Sequence, residues 1–97
     1  MFGSGHLDFE ADRDDSAQGQ PSLSYMAQSA INRLSKDDKG FFLLVEAARI
    51  DHAHHDTNAK RSLTETLMLD RTVQVLITFS IIIIRNVLCF INFLGNN

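Results

Sequence analysis

The chain lacks most of what a disulfide-stabilised or nucleic-acid-binding protein needs. One of its 97 residues is a cysteine, Cys89, which excludes an internal disulfide framework and a zinc site built from cysteines. Basic residues are not in excess, since 9 Lys and Arg stand against 12 Asp and Glu, for a net charge of -3 with histidine neutral. This balance argues against a nucleic-acid partner.

The start of the chain also lacks the features of a secretory signal peptide. Residues 1–6 have neither a basic stretch nor an apolar one. Residues 1–20 are mostly polar, with large apolar side chains at Phe2, Leu7 and Phe9. So few apolar groups cannot bury enough surface to offset the entropy cost of ordering, and we expect a surface loop that needs a scaffold.

The middle of the chain has the pattern of one α/β unit, in the order loop, helix, strand, helix. Apolar residues recur at spacings of three and four over Leu23–Leu34, after the candidate N-cap Ser22, which predicts an amphipathic helix. The run Phe41–Val45 lacks alternation, which predicts a strand buried on both faces of a parallel sheet. A second helix is expected to begin within residues 51–56 and to end near Val73.

The last part of the chain is an apolar run, Val75–Leu94, with two interpretations. Its length would span a bilayer, and its apolar side chains contribute about -4 to -8 kcal/mol to insertion. Arg85 costs about 2.5 to 3.5 kcal/mol on the same scale, and Asn86 and Asn92 add to that cost, so spanning is close to break-even. The other interpretation is a strand around Ile77–Ile84 and an irregular tail, since consecutive isoleucines favour strands.

Acids and histidines at the end of the predicted strand are the candidate functional residues. Ligand sites of α/β proteins lie at the carboxyl ends of strands, where Glu46 directly follows Val45. Asp51 and His55 are four residues apart, so on a helix they share one face and can reach one metal ion. This pair suits zinc, whereas a lone carboxylate with water suits magnesium. The alternative is a solvated helix start, in which Asp51 or Asp56 is the N-cap.

The segment around these residues resembles the metal-binding segment of animal alkaline phosphatases. The matching residues are Lys39–Glu46, Arg49–His52 and His54–His55, with Gly5–Leu7, Asp12–Arg13, Gln20–Ser24 and Met26 before them and Ala59–Lys60, Leu63, Glu65–Thr66 and Leu69–Arg71 after them. Ala47 and Ala48 depart from the pattern, because the family usually has two glycines there. The resemblance covers about residues 1–73 and implies part of the family's parallel-sheet α/β fold, followed by an unrelated apolar tail, 74–97.

The resemblance also implies a function. It is that of a phosphomonoester hydrolase, an alkaline phosphatase that uses two zinc ions, one magnesium ion and a serine nucleophile. By matching positions, Glu46 would bind magnesium, while Asp51 and His55 would bind one of the zinc ions. His52 and His54 would lie near the ligands or on the surface rather than bind metal. The family implies phosphate monoester substrates, a homodimer, and a place at the cell surface or outside the cell.

The same resemblance implies that the 97 residues lack parts needed for the reaction. The family's nucleophile and its other ligands fall outside the matched positions, so no catalytic residue is assigned and we expect a truncated chain that is inactive alone. Asp15-Ser16-Ala17 resembles the sequence around that nucleophile, but Ser16 lies where the family has a loop, so we expect an exposed loop serine. The alternative function is a non-enzymatic protein, either anchored in a membrane through residues 75–94 or binding metal as an interaction module.

Overall fold

The computed structural model of the chain describes residues 3–82 and 87–92. An N-terminal loop, residues 3–22, leads into the regular elements. These are α1 (Leu23–Leu34), β1 (Phe41–Glu46), α2 (Arg49–His55), α3 (Ala59–Ile82) and β2 (Val87–Asn92). The two strands pair in parallel, with Phe41 opposite Val87 and Glu46 opposite Asn92. A two-stranded pair does not test the larger parallel sheet that the resemblance implies, which stays a prediction.

Helix α1 begins where the sequence predicts. Ser22 has an extended backbone, and its hydroxyl accepts a hydrogen bond from the amide of Tyr25 at 3.2 Å. This bond satisfies one of the amides that the first turn of a helix leaves without a partner. The helix buries Ala27 and Ile31 on its apolar face. A turn then leads to β1 through Gly40, whose φ of 82° favours glycine.

The core lies between α1, β1 and α3. Its buried members are Ala27, Ile31, Val45 and Leu76, and the partly buried side chains around them are Leu23, Leu43, Val75 and Phe79. Leu76 belongs to the stretch expected to be an unrelated tail. Because α3 is continuous from Ala59 to Ile82, residues 74–82 are in the same helix as the residues before them.

The prediction that β1 is buried on both faces is wrong. Val45 is buried, whereas the side chains of Phe42 and Leu44 are 60% and 55% exposed. The helices pack on the face that carries Leu43 and Val45. An apolar run without alternation marks a strand, but it cannot show how many of its faces another layer covers.

The second helix also differs from its prediction. Helix α2 begins at Arg49, before the expected range of 51–56, and α3 begins only at Ala59. Between them Thr57 has a φ of 50°, in the left-handed region that few residues other than glycine adopt. The side chain of Asn58 then caps α3, since it accepts a hydrogen bond from the amide of Arg61 at 3.1 Å. Apolar spacing continues through this break and so does not reveal it.

The apolar run 75–94 is neither a single helix nor a strand over Ile77–Ile84. Residues 77–82 are helical, so the strand prediction is wrong there, and Val87–Asn92 form β2, where an irregular tail was expected. Residues 83–86, with Arg85, and residues 93–97 lie outside the described residues. Within residues 3–82 and 87–92, no helix has the length and apolar character needed to cross a membrane.

Candidate metal centre

Asp51 and His55 come together on α2, at the separation expected for residues four apart on a helix. Oδ2 of Asp51 lies 3.3 Å from Nε2 of His55. The side chain of His55 is 71% exposed and that of Asp51 is 29% exposed, so the pair is open to solvent on the side of His55. A carboxylate oxygen and an imidazole nitrogen in this arrangement suit zinc. The geometry does not test whether they bind it, and their role as ligands stays a prediction.

Glu46 lies at the end of β1, where it is exposed to solvent. It lines a cavity of about 340 Å³ whose other walls come from the N-terminal loop, α1, the start of α2 and α3. Asp51 and His55 are not among the residues that line this cavity. Glu46 and the Asp51–His55 pair therefore do not line the same cavity, and their assignment to different ions stays a prediction.

The side chains of Glu46, Asp51 and His55 fit part of a metal site. Among the described residues, no group of three or more His, Cys, Asp or Glu side chains is placed to hold a metal ion. A catalytic zinc ion normally has three protein ligands. The Asp51–His55 pair would therefore need at least one further ligand from outside the part of the chain that the structure describes.

The neighbouring histidines have protein partners. Nδ1 of His52 lies 3.2 Å from Nη1 of Arg49, and the His52 ring meets the ring of His6 edge-on at 4.6 Å between centroids. Nε2 of His54 lies 2.6 Å from Oγ of Ser62 on α3. Each histidine thus has a nitrogen engaged by another side chain, and their role as neighbours of the ligands stays a prediction.

The N-terminal loop reaches α2 and α3 through Phe9. The ring of Phe9 is buried, and the guanidinium carbons of Arg49 and Arg61 lie 3.6 Å and 4.5 Å from its centroid. Both distances are within the range of a cation–π interaction. Nε of Arg61 also donates a hydrogen bond to Oδ2 of Asp12 at 2.7 Å. These contacts confirm that the loop uses the helices as its scaffold.

Glu65, on α3, is a buried carboxylate where the N-terminal loop packs against the helices. It is 8% exposed, and its Oε1 accepts a hydrogen bond from the amide of Glu10 at 2.7 Å. Burial raises the pKa of the Glu65 carboxyl above its ordinary value, while the bond from Glu10 and the charge of Arg49 act against that rise. Sequence reasoning missed this residue, because helical spacing cannot show that a distant loop covers a polar face.

Ser16 lies on the surface of the N-terminal loop, which confirms the prediction of an exposed loop serine. Its hydroxyl donates a hydrogen bond to Oδ2 of Asp14 at 2.9 Å and accepts one from the amide of Gln18 at 3.3 Å. Hydrogen bonds from the amide and hydroxyl of Ser16 hold the pKa of the Asp14 carboxyl below its usual range. Ser16 thus closes a turn, and no helix begins at it.

Comparison with known proteins decides the family. The family model described as alkaline phosphatase matches residues 1–82. This chain belongs to the alkaline phosphatase family. It is similar to the membrane-bound alkaline phosphatase of Bombyx mori, with 44% identity over 75 residues, which cover 77% of this chain and 13% of that protein.

The tissue-nonspecific isozymes of alkaline phosphatase are similar to the chain in the same way. The isozyme of Gallus gallus is 48% identical over 73 residues, and that of Homo sapiens is 45% identical over 73 residues. Each match covers 75% of this chain and 14% of the relative. No solved structure matches the chain.

These comparisons confirm the resemblance and show its extent. The described helices and strands are consistent with part of an alkaline phosphatase domain. The match to the family model ends at residue 82, which is also the last residue of α3. The division of the chain into a family domain and a tail near residue 73 stays a prediction. The chain spans about 13% to 15% of the length of the curated relatives it matches.

Proposed function

We propose that this chain supplies metal ligands for the hydrolysis of phosphate monoesters by an alkaline phosphatase. The observation that carries the proposal is the 3.3 Å approach of Asp51 and His55 on α2, in a chain that belongs to this family. Asp51 and His55 would bind one zinc ion, and Glu46 would bind magnesium. The family resemblance further supports a serine nucleophile, for which we propose no residue of this chain.

The chain's own residues have separate tasks in this proposal. The bound ions would stabilise charge on the attacking and leaving oxygens of an in-line phosphoryl displacement. Asp51 contributes a negative charge and His55 an uncharged nitrogen donor, and one helical turn sets their separation. The 71% exposure of His55 leaves its ring nitrogen accessible to an ion shared with other ligands.

We also propose a place for the whole protein at the cell surface and a homodimeric assembly. Both rest on family resemblance, and the first is supported by the similarity to a relative from Bombyx mori whose name includes membrane-bound.

Zinc titration of the 97-residue chain tests the ligand pair. Isothermal titration with zinc chloride compares the wild type with Asp51→Asn and His55→Gln, which keep side-chain size but remove the charge or the nitrogen donor. Loss of a residue that only orients a ligand costs about 10- to 100-fold in affinity, so each of these variants should lose at least as much. Circular dichroism of each variant checks that the helices remain.

Asp70→Asn is the matched control, because Asp70 is an exposed carboxylate on α3, whereas the pair is on α2. Its zinc affinity should equal that of the wild type. Unchanged affinity in both Asp51→Asn and His55→Gln would remove these residues as ligands. An equal loss in Asp70→Asn would show that zinc responds to the net charge of the chain rather than to a site.

A further inference from the structure

A side-chain hydrogen bond joins the last turn of α2 to α3. Nε2 of His54 lies 2.6 Å from Oγ of Ser62, and either atom can donate, depending on the tautomer of the ring. Ser62 is 8% exposed, so water has little access to its hydroxyl. His54 is exposed, so the bond as a whole is half-buried, but a buried hydroxyl left without its partner is costly. His54 directly precedes His55, so the bond acts on the turn that carries one member of the metal pair.

Helix α2 depends on such contacts because it is short. It has 7 residues, and a helix of that length is not stable without tertiary packing. Its buried residues, Ile50 and Ala53, both precede His54. Beyond His55 the chain turns through Thr57, whose left-handed backbone is a strained conformation. The last turn therefore lies between a packed helix face and a strained turn.

Backbone hydrogen bonds close the end of α2, and one of them reaches Asn58, the cap of α3, whose amide donates to the carbonyl of Ala53 at 3.0 Å. The amides of Asp56 and Thr57 donate to the carbonyls of His52 and His54 at 3.0 Å and 2.9 Å. These bonds lie within residues 52–58, whereas the bond between His54 and Ser62 and the 4.0 Å ion pair of Asp56 with Arg61 reach the body of α3. The His54–Ser62 bond, at 2.6 Å, is the shorter of these two side-chain contacts and so the stronger candidate to fix where the turn lies relative to α3.

We propose that His54 and Ser62 are positioning residues for the Asp51–His55 pair. Their hydrogen bond orders the last turn of α2 and so maintains the 3.3 Å approach of the two side chains. The consequence for zinc affinity rests on the proposed function, but the ordering itself exists without metal. Neither residue contacts the ion or the substrate in this proposal. The loss of one hydrogen bond of this kind corresponds to about a threefold to tenfold effect.

The experiment removes and restores the hydroxyl in the 97-residue chain. Ser62→Ala loses the bond, Ser62→Thr keeps a hydroxyl, and His54→Ala removes the partner at an exposed position where folding is less at risk. Amide hydrogen exchange at Asp56 and Thr57 is measured without metal, and zinc chloride affinity is measured separately. Ser29→Ala, an exposed serine on α1, is the control.

We expect exchange about three to ten times faster in Ser62→Ala and His54→Ala, with a loss of zinc affinity by a similar factor, and near-normal values in Ser62→Thr and Ser29→Ala. Unchanged exchange in both bond-deleting variants would overturn the proposal. Unchanged zinc affinity, in a chain that does bind zinc, would also overturn it, because the bond would then be structural only. Ser62→Thr behaving like Ser62→Ala would do the same.

One result separates the positioning proposal from the proposed function: the wild-type chain binds no zinc, but Ser62→Ala and His54→Ala still exchange faster than the wild type. That result would support the ordering of the turn by His54 and Ser62. It would also show that Asp51 and His55 do not hold zinc in this chain without a further ligand.

Discussion

Glu65 holds a carboxylate at a contact from which most water is excluded. One oxygen accepts the amide hydrogen bond of Glu10, but burial still raises the pKa of the carboxyl above its ordinary value of 4.5. A carboxyl with a raised pKa in the folded state binds a proton more tightly there than in the unfolded chain. Its contribution to the free energy of unfolding therefore falls as pH rises from 4.5 through the raised pKa, and is constant above it.

Glu65→Gln should remove this part of the pH dependence of stability. The amide oxygen of glutamine can still accept the hydrogen bond from Glu10, and it carries no charge to bury. We expect the variant to have a higher free energy of unfolding than the wild type at neutral pH, with the difference vanishing in acid. Urea unfolding followed by circular dichroism, at neutral pH and in acid, measures the free energy of unfolding of both chains.

Asp70→Asn provides the comparison, because it removes an exposed carboxylate from the same helix. Its pH dependence should stay close to that of the wild type. A Glu65→Gln chain that is less stable than the wild type at both pH values would contradict the argument, since it would mean that the charged form makes the better contact.

Among the elements, α1 shows which local signals suffice. The cap at Ser22 and the apolar stripe act within a few residues of each other, and the helix begins and ends where they predict. The break between α2 and α3 has no comparable signal, since it depends on the left-handed backbone of Thr57. Sequence patterns therefore placed α1 correctly and missed the break.

Ser22→Ala should lower the free energy of unfolding by about 1 kcal/mol, because the hydrogen bond from the Tyr25 amide to the cap hydroxyl is lost. Urea unfolding measures the change. Ser29→Ala, on the exposed face of α1, makes the same chemical substitution without a cap and should change the free energy by less than about 0.5 kcal/mol. Equal effects of the two substitutions would mean that the cap hydroxyl contributes nothing.

For the whole molecule, the side chains that could bind metal ions decide what chemistry to expect. Glu46 lines the cavity, and the Asp51–His55 pair lies outside it. Within the described residues, no group of three or more His, Cys, Asp or Glu side chains is placed to hold a metal ion. Ser16 is engaged in a loop turn rather than placed beside these groups. The described residues thus include candidate metal ligands, and no nucleophile is assigned among them.

The 97-residue chain by itself should therefore not hydrolyse p-nitrophenyl phosphate above background. The assay is run at alkaline pH with zinc and magnesium, and a complete alkaline phosphatase serves as the positive control. Turnover that Ser16→Ala abolishes and Ser29→Ala preserves would overturn the assignment of Ser16 as a loop serine.

The sequence by itself determined the family, helix α1, strand β1 and the close approach of Asp51 and His55. The family follows from motifs spread over about residues 1–73. Helix α1, strand β1 and the Asp51–His55 pair each depend on residues within a few positions of one another, whose spacing the helix or strand converts directly into geometry. Only the tertiary structure decided that Phe42 and Leu44 are exposed, that α3 carries Leu76 into the core, and that Glu65 is buried. These outcomes depend on which distant segment packs against each residue, and a periodic pattern does not say which segment that is.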